Sequence, residues 1–252
     1  MIKELLTKLE PLHLRFMALP ETLFRLAEDR GVKQDLLKLV RDIKTPLLLG
    51  VEDTSEYGGL GNRIVLFERD KDVVHYDKRS LVPFAEYLPM ASLPLWPEAL
   101  HKRNRFVSGR ASGLQDFAGL PVALSVCLEA AIPGWFNESV HQGASLLINI
   151  SSENWSGPGF DPEQHLQLVQ MRAIESRRWM VRVSDAGIST TIDPKGVLSH
   201  KQKILHSGFV EKVALETEKT FYVRYGDWII GLALLVLVME FVAGYLRREK
   251  TR

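Results

Sequence analysis

Cysteine is almost missing from this chain: Cys127 is the one thiol in 252 residues. An internal disulfide framework and a cysteine-based zinc site are therefore excluded. An excess of charge of one sign is missing too. A formal net charge of +1, with both signs interspersed, leaves no basic stripe to displace counterions and argues against a nucleic-acid partner. No HExxH, Walker A loop or GxGxxG run is present, so neither a metal nor a cofactor is expected. The Gly58-Gly59-Leu60-Gly61 run lacks the lysine and spacing of a phosphate cradle and reads as a hairpin turn. No internal repeat or low-complexity tract stands out, and residues 1–20 hold no apolar segment that could start export. Apolar content of 46% and charged content of 25% are those of an ordinary globular protein, sized for one large α/β domain or two small ones.

Long apolar runs are scarce as well, with one exception. Trp228 to Leu246 carries a single charge, Glu240, and at 1.5 Å per residue extends roughly 28 Å, enough to cross a hydrocarbon core. Trp228 and Tyr245 sit at its ends, where aromatic belts form. The basic residues after it, Arg247-Arg248-Glu249-Lys250-Thr251-Arg252, place that end in the cytoplasm by the positive-inside rule, with the preceding domain outside. We expect a catalytic domain over 1–225, a transmembrane helix over 226–246 and a basic cytoplasmic tail over 247–252. Because nothing near the N-terminus would start export, either the domain stays cytoplasmic on a tail anchor or the chain is the C-terminal piece of a longer membrane protein. The second is favoured.

The periodicity predicts strands over 14–19, 46–51, 63–67, 73–76, 121–127, 145–150, 180–183 and 188–192. Helices are predicted over 3–10, 22–44, 138–143 and 162–176, the last with Asp161 as its N-cap. Residues 88–104, rich in proline, read as an irregular lid or surface loop. Strands alternating with helices imply layered sheets with helices outside.

Cys127 ends the apolar run Pro121-Val-Ala-Leu-Ser-Val-Cys127, the place where α/β folds put reacting groups. Buried free cysteines are more often inert filler. Three charged residues upstream change what the thiol could do. A lysine ammonium favours the thiolate and a glutamate can take its proton, after which sulfur attacks an acyl carbonyl to give a covalent acyl-enzyme. Glu21, Lys78 and Cys127 could form such a set, with Lys78 and the backbone N–H of Leu128 as oxyanion donors. Each residue also has a plainer reading. Glu21 could be a helix N-terminal charge, Lys78 a solvated turn residue, and Glu86 and Glu129 partners of arginines. His141 and His165 read as packing or capping residues, and the sequons at Asn137, Asn149 and Asn154 as coincidence.

The order of the motifs resembles the nitrilase superfamily, and within it the apolipoprotein N-acyltransferases of bacterial envelopes. The matching blocks are Leu19-Pro20-Glu21-Thr22, Tyr76-x-Lys78, Leu81-Val-Pro-Phe-Ala-Glu86-Tyr87 and Cys127-x-Glu129. They continue with Asn149-Ile-Ser-Ser-Glu-Asn-Trp155, Gln164-His165 with Arg172-Ala-Ile-Glu175, Gly187-Ile-Ser189, Asp193, Gly196 and Gly226-Asp227. The likeness runs over about residues 15–246, with Leu19, Ala85, Leu128 and Ser156 departing from the family's usual residues. It implies a nitrilase-like α-β-β-α sandwich followed by the transmembrane helix, and a first strand and several spanning helices that this chain does not carry. It further implies Glu21 as general base, Lys78 as oxyanion stabiliser and Cys127 as nucleophile, with Glu86 holding Lys78 and Glu129 supporting the nucleophile. The reaction implied moves an acyl chain from a phospholipid to the cysteine, then to the N-terminal amine of a diacylglyceryl-modified lipoprotein. The implied place is the bacterial inner (cytoplasmic) membrane with the catalytic domain on its periplasmic side. A membrane-tethered C–N hydrolase (an amidase) and an inactive remnant that only binds a membrane partner remain as alternatives.

Overall fold

The computed structural model describes residues 12–28, 30–69, 71, 73–93, 96–101, 106–154, 162–202 and 208–250. The helix expected at 3–10, the Asp161 cap, Trp155 and Ser156, and the last two residues of the tail lie outside them.

Two twisted sheets stack face to face. The first, five-stranded, contains β1 (Met17–Ala18), β2 (Phe24–Arg25), β3 (Leu47–Thr54), β4 (Leu60–Phe67) and β5 (Val74–Asp77). β3, β4 and β5 form an antiparallel meander, and β1 and β2 are two short pieces of one edge, each parallel to β3. The second sheet, six-stranded, holds β6 (Leu114–Phe117), β7 (Leu120–Val126), β8 (Leu146–Ser152), β9 (Met180–Asp185), β10 (Ser189–Ile192) and β11 (Leu198–Gln202), in the order β11-β10-β9-β8-β7-β6. Its centre, β7-β8-β9, is parallel and its margins are antiparallel. The helices are α1 (Arg30–Asp42), α2 (Glu98–His101), α3 (Asn137–His141), α4 (Pro162–Ser176), α5 (Phe221–Tyr225) and α6 (Trp228–Lys250).

Alternation along the strands sorts the apolar residues into three layers of core. Leu48, Ile64, Leu66 and Tyr76 meet Val122, Leu124, Val126, Ile148 and Ile150 between the sheets. On the outer face of the first sheet Leu47, Leu49, Val51, Val65 and Phe67 pack on Leu36 of α1 and on Ile43 just after it. On the outer face of the second, Ala123, Leu147 and Met180 pack on Val140 of α3, Leu166, Val169 and Ala173 of α4 and Val223 of α5. A helix layer, two sheets and a second helix layer give the nitrilase-like α-β-β-α order that the motifs imply. A strand covered on both faces must be apolar throughout, which is why β8 reads Leu-Leu-Ile-Asn-Ile rather than alternating.

Several boundaries differ from expectation. The helix predicted over 22–44 begins only at Arg30: Thr22 takes the left-handed φ of 54°, and Phe24 and Arg25 pair with Val51 and Glu52 of β3 instead. The strand predicted over 14–19 shrinks to Met17–Ala18. Cys127 stands just past β7, opening a 3-10 turn, rather than within the strand. β6 and β11 were not anticipated, and α2 interrupts the loop expected over 88–104.

Gly50 of β3 allows the chain to pass at Glu21. A Cβ there would lie 2.4 Å from the Glu21 Cα and 2.7 Å from both the Pro20 carbonyl oxygen and Ile150 Cδ1. Leu23 N–H donates to the Gly50 carbonyl at 2.9 Å and Gly50 N–H to that of Pro20 at 3.0 Å, so the backbone cannot yield cheaply. Gly50→Ala is expected to destabilise the protein by roughly 1–3 kcal/mol, lowering the unfolding midpoint by about 2–12 °C in a thermal melt.

α6 exposes its apolar side chains: Ile229, Leu237 and Phe241 are 62%, 65% and 78% accessible. Its side chains are described without a break from Trp228 to Gly244, about 26 Å along the axis. Among the described residues no helix is long and apolar enough to cross a membrane, so the span expected over 226–246 is not established by the fold. The segment expected as a separate tail continues the helix as far as Lys250.

Candidate active site

The strand ends that meet between the two sheets carry the singled-out side chains. Glu21 follows β1, Lys78 follows β5 and Cys127 follows β7. Each is nearly sealed from solvent, with accessibilities of 5%, 1% and 1%. Lys78 Nζ lies 2.7 Å from Glu86 Oε1 and 3.8 Å from Glu21 Oε1. Asn62 of β4 bridges the two carboxylates, its Nδ2 donating to Glu21 Oε1 at 2.6 Å and to Glu86 Oε1 at 3.2 Å. Backbone donors fix the remaining oxygens: Ser152 N–H to Glu21 Oε2 at 2.7 Å, and Val82 N–H to Glu86 Oε2 at 2.8 Å. An ammonium between two carboxylates is the arrangement in which a buried charge is compensated from both sides.

Burial sets the electrostatics. It pushes the Glu21 carboxyl above its ordinary value, against the pull of the Lys78 ammonium and the Asn62 amide. Burial alone would lower Lys78, but Glu21, Cys127 and Glu86 outweigh it, so the group is held charged well beyond neutrality. The Cys127 thiol is pushed up to about 12 by burial and then by the Glu21 charge, with Lys78, the Ser151 hydroxyl and Arg182 acting the other way. A neighbouring ammonium was expected to favour the thiolate; here desolvation wins, and at neutral pH the sulfur keeps its proton. Glu21 is the carboxylate whose charge bears most strongly on the thiol.

Glu129, fully buried, accepts four hydrogen bonds. Oε1 takes Arg79 N–H at 2.6 Å and Ser80 N–H at 2.9 Å, while Oε2 takes Val126 N–H at 2.8 Å and Tyr76 O–H at 3.0 Å. It thereby ties the turn at Cys127 to the segment leaving Lys78. Leu128, half-buried, packs against the core between the sheets, and its N–H belongs to the first turn of the 3-10 helix, where donors have no acceptor within the helix. Cys127 itself holds a φ of 52°, the left-handed region that a residue with a Cβ enters at a cost.

A cavity of about 320 Å³ opens beside these groups, lined among others by Glu21, Asn62, Lys78, Glu86, Phe106 and Ser152. Cys127 does not line it. Of the residues sequence reasoning did not assign, Asn62, Tyr76 and Arg182 are the clearest. Their signal was a polar group inside an otherwise apolar strand, as in Gly61-Asn62-Arg63-Ile64. His165, expected to pack or cap, is buried with Nδ1 3.0 Å from Glu153 Oε1. The His141 ring Nδ1 sits 3.0 Å from the Lys219 ammonium at the surface.

Comparison with known proteins fits this geometry. A carbon–nitrogen hydrolase family profile matches residues 12–203. The chain is 32% identical over 247 residues to a protein of Nitrosomonas europaea named apolipoprotein N-acyltransferase, covering 94% of this chain and 49% of that protein. A protein of the same name from Gloeobacter violaceus is 29% identical over 232 residues, covering 89% and 44%. The chain thus spans about half the length of the curated relatives it matches. Among solved structures, a carbon–nitrogen hydrolase from Helicobacter pylori superposes with a TM-score of 0.61 at 15% identity, over 80% of this chain and 78% of that one. An amidase of the nitrilase superfamily from Nesterenkonia does so at 0.60 and 16%, over 81% and 79%. With that profile matching residues 12–203 and two stacked sheets superposing on its solved members, the chain belongs to the carbon–nitrogen hydrolase family.

Proposed function

We propose that the chain is the catalytic part of an N-acyltransferase that moves a fatty acyl group from a phospholipid, through a thioester on Cys127, to the N-terminal amine of a lipoprotein. The observation that carries this reading is the convergence of Glu21, Lys78 and Cys127 at one buried locus. Relatives named apolipoprotein N-acyltransferase that align over most of the chain direct it toward acyl transfer to an amine.

The steps follow from the charges. As sulfur bonds to the ester carbonyl, its proton passes to Glu21, and the oxyanion that forms is stabilised by the Lys78 ammonium and the Leu128 N–H. Collapse expels the lysophospholipid alkoxide, which takes the proton back from Glu21. The acceptor amine then attacks the thioester and gives a proton to Glu21, and the departing sulfur recovers it. Both half-reactions return the enzyme to the protonated thiol. Glu86 keeps Lys78 in place and Glu129 keeps the turn carrying Cys127 in place. Since burial rather than full ionisation governs the thiol, exclusion of water from the site also protects the thioester from hydrolysis.

A membrane setting is part of this proposal, and it rests on the apolar sequence from Trp228 to Leu246 rather than on the fold. We read α6 as a span, its 23 residues extending about 34 Å, with the basic residues from Arg247 on the cytoplasmic side and the catalytic domain on the periplasmic side of a bacterial inner membrane. Both substrates would then reach the site from the bilayer. The test uses full-length protein in detergent and a phospholipid with a labelled acyl chain. Label released by hydroxylamine, absent in Cys127→Ala and chased onto a diacylglyceryl peptide with a free N-terminus, is the expected result. Label that moves only to water would favour an amidase-like hydrolase. Equal labelling of Cys127→Ala would remove the nucleophile.

A further inference from the structure

Cys127 packs in the core between the sheets, while a polar row lies on the other face of the second sheet. Ser125, Asn149 and Arg182 stand in register across β7, β8 and β9. Their face also carries Ala123 and Leu147, so it looks toward α4, whereas Ile148 and Ile150 point into the core between the sheets. Three polar groups in the most apolar strands of the molecule call for a reason beyond the fold. All three have no measurable exposure.

Their hydrogen bonds run toward the nucleophile. Arg182 Nη1 donates to Asn149 Oδ1, which leaves the amide of Asn149 only one orientation. Asn149 Nδ2 then donates to the Cys127 carbonyl at 3.2 Å and to Ser125 Oγ at 3.0 Å. The Arg182 charge is met by Glu153 Oε1, bound to Nη2, and its Nε donates to the Ile188 carbonyl at 3.2 Å. His165 of α4 closes the cluster, 3.2 Å from Nη2 and in contact with the Cys127 backbone. The row thus touches Cys127 through its carbonyl and not through its sulfur. That carbonyl belongs to the residue held at a φ of 52°. A left-handed residue bearing a side chain persists only where its surroundings over-determine it. Asn149 fixes the peptide that follows Cys127, and Glu129 holds the chain one peptide further upstream through Val126 N–H.

We propose that Arg182 and Asn149 are positioning residues: by locking the Cys127 carbonyl they hold the strained turn that presents the thiol to Glu21. This rests on Glu21 being the base for Cys127, and it adds a role that neither residue has in that scheme. Asn149→Asp is the sharpest probe. It keeps the volume and the acceptor for Arg182 but replaces the N–H aimed at the Cys127 carbonyl with a second oxygen.

The readout is the second-order rate of Cys127 alkylation by iodoacetamide, measured against pH on the full chain. In Asn149→Asp we expect about a ten-fold or greater fall near neutral pH and loss of the limb governed by Glu21. Adding Glu21→Gln should then cost almost nothing more, because the base is already uncoupled. Ser125→Ala, which removes the hydroxyl but leaves the Cys127 and Ser125 carbonyls as acceptors for the Asn149 amide, should change the rate less than about two-fold. Should Asn149→Asp fail to melt cooperatively, the same non-additivity is read with Arg182→Lys, which cannot hold Asn149 and Glu153 together. Additive losses, or faster alkylation through mere loosening, would overturn the assignment. A Glu21→Gln variant that alkylates like the unaltered protein would instead strike at the base itself, and the inference would go with it.

Discussion

Glu21→Gln is expected to lower acyl-enzyme formation at neutral pH by about 10²–10⁴-fold while leaving the fold intact. Glutamine keeps the shape and one acceptor for Asn62 Nδ2, whose 2.6 Å hydrogen bond to Glu21 is the shorter of its two to the carboxylate pair. It cannot take a proton from sulfur. Because the thiol titrates only near 12, no reserve of thiolate exists at pH 7 to bypass the base. The pH profile separates this from a structural defect. In the unaltered protein the rate should fall as pH drops through the Glu21 pKa, which burial holds above its ordinary value of 4.5. In the variant that acid limb should vanish and the rate should climb with the thiolate fraction. The climb should begin at lower pH than the wild-type thiol would suggest, since the Glu21 charge is one of the causes that raise Cys127. Burst-phase kinetics over pH 5 to 10 would read both, and an unaltered acid limb in the variant would exclude Glu21 as the base.

The same substitution carries a stability signature. A carboxyl with a raised folded-state pKa stabilises the fold while protonated, and that contribution is lost as pH rises through the folded value. Glutamine stays neutral throughout. Relative to the unaltered protein, Glu21→Gln should therefore gain stability in going from pH 5 to pH 8. A functional group held in an environment that disfavours its charge is the kind of site where activity is maintained at the expense of stability.

What the sequence disclosed follows the physics of each feature. The continuous apolar run of β8 marks a strand covered on both faces, and its position between two other parallel strands bears that out. Glu21, Lys78 and Cys127 are singled out through motif order, and their separation along the chain is no obstacle to meeting because strand ends bring them together. Edge strands were less visible. β6 reads Leu-Gln-Asp-Phe and β11 reads Leu-Ser-His-Lys-Gln, and neither has a buried face long enough to impose alternation. The segment 22–29 looked helical because propensity is local, whereas the pairing of Phe24 with Val51 is a tertiary choice. Nor does sequence report desolvation. That Lys78 lies near a thiol could be guessed, but that burial outweighs the ammonium depends on atoms drawn from both sheets.

Lys78→Met should be the most damaging single change, abolishing detectable acyl transfer and lowering stability by about 3–5 kcal/mol, roughly 6–20 °C in unfolding midpoint. Methionine fills the space but leaves the buried Glu21 and the largely buried Glu86 with no cation between them. Sign and pH dependence distinguish this from a packing defect. Loss of the ammonium removes the influence that pulls the Glu21 carboxyl down, so the pair protonates more readily and the deficit should shrink as pH falls toward 5. Adding Glu86→Gln should restore part of the lost stability, because one of the two uncompensated charges is gone. It should restore no activity, because the oxyanion donor is still absent. If the double variant were as unstable as the single one at every pH, the ammonium would be filling space rather than balancing charge. Recovery of acyl transfer in the double variant would show that Lys78 has no part in stabilising the oxyanion.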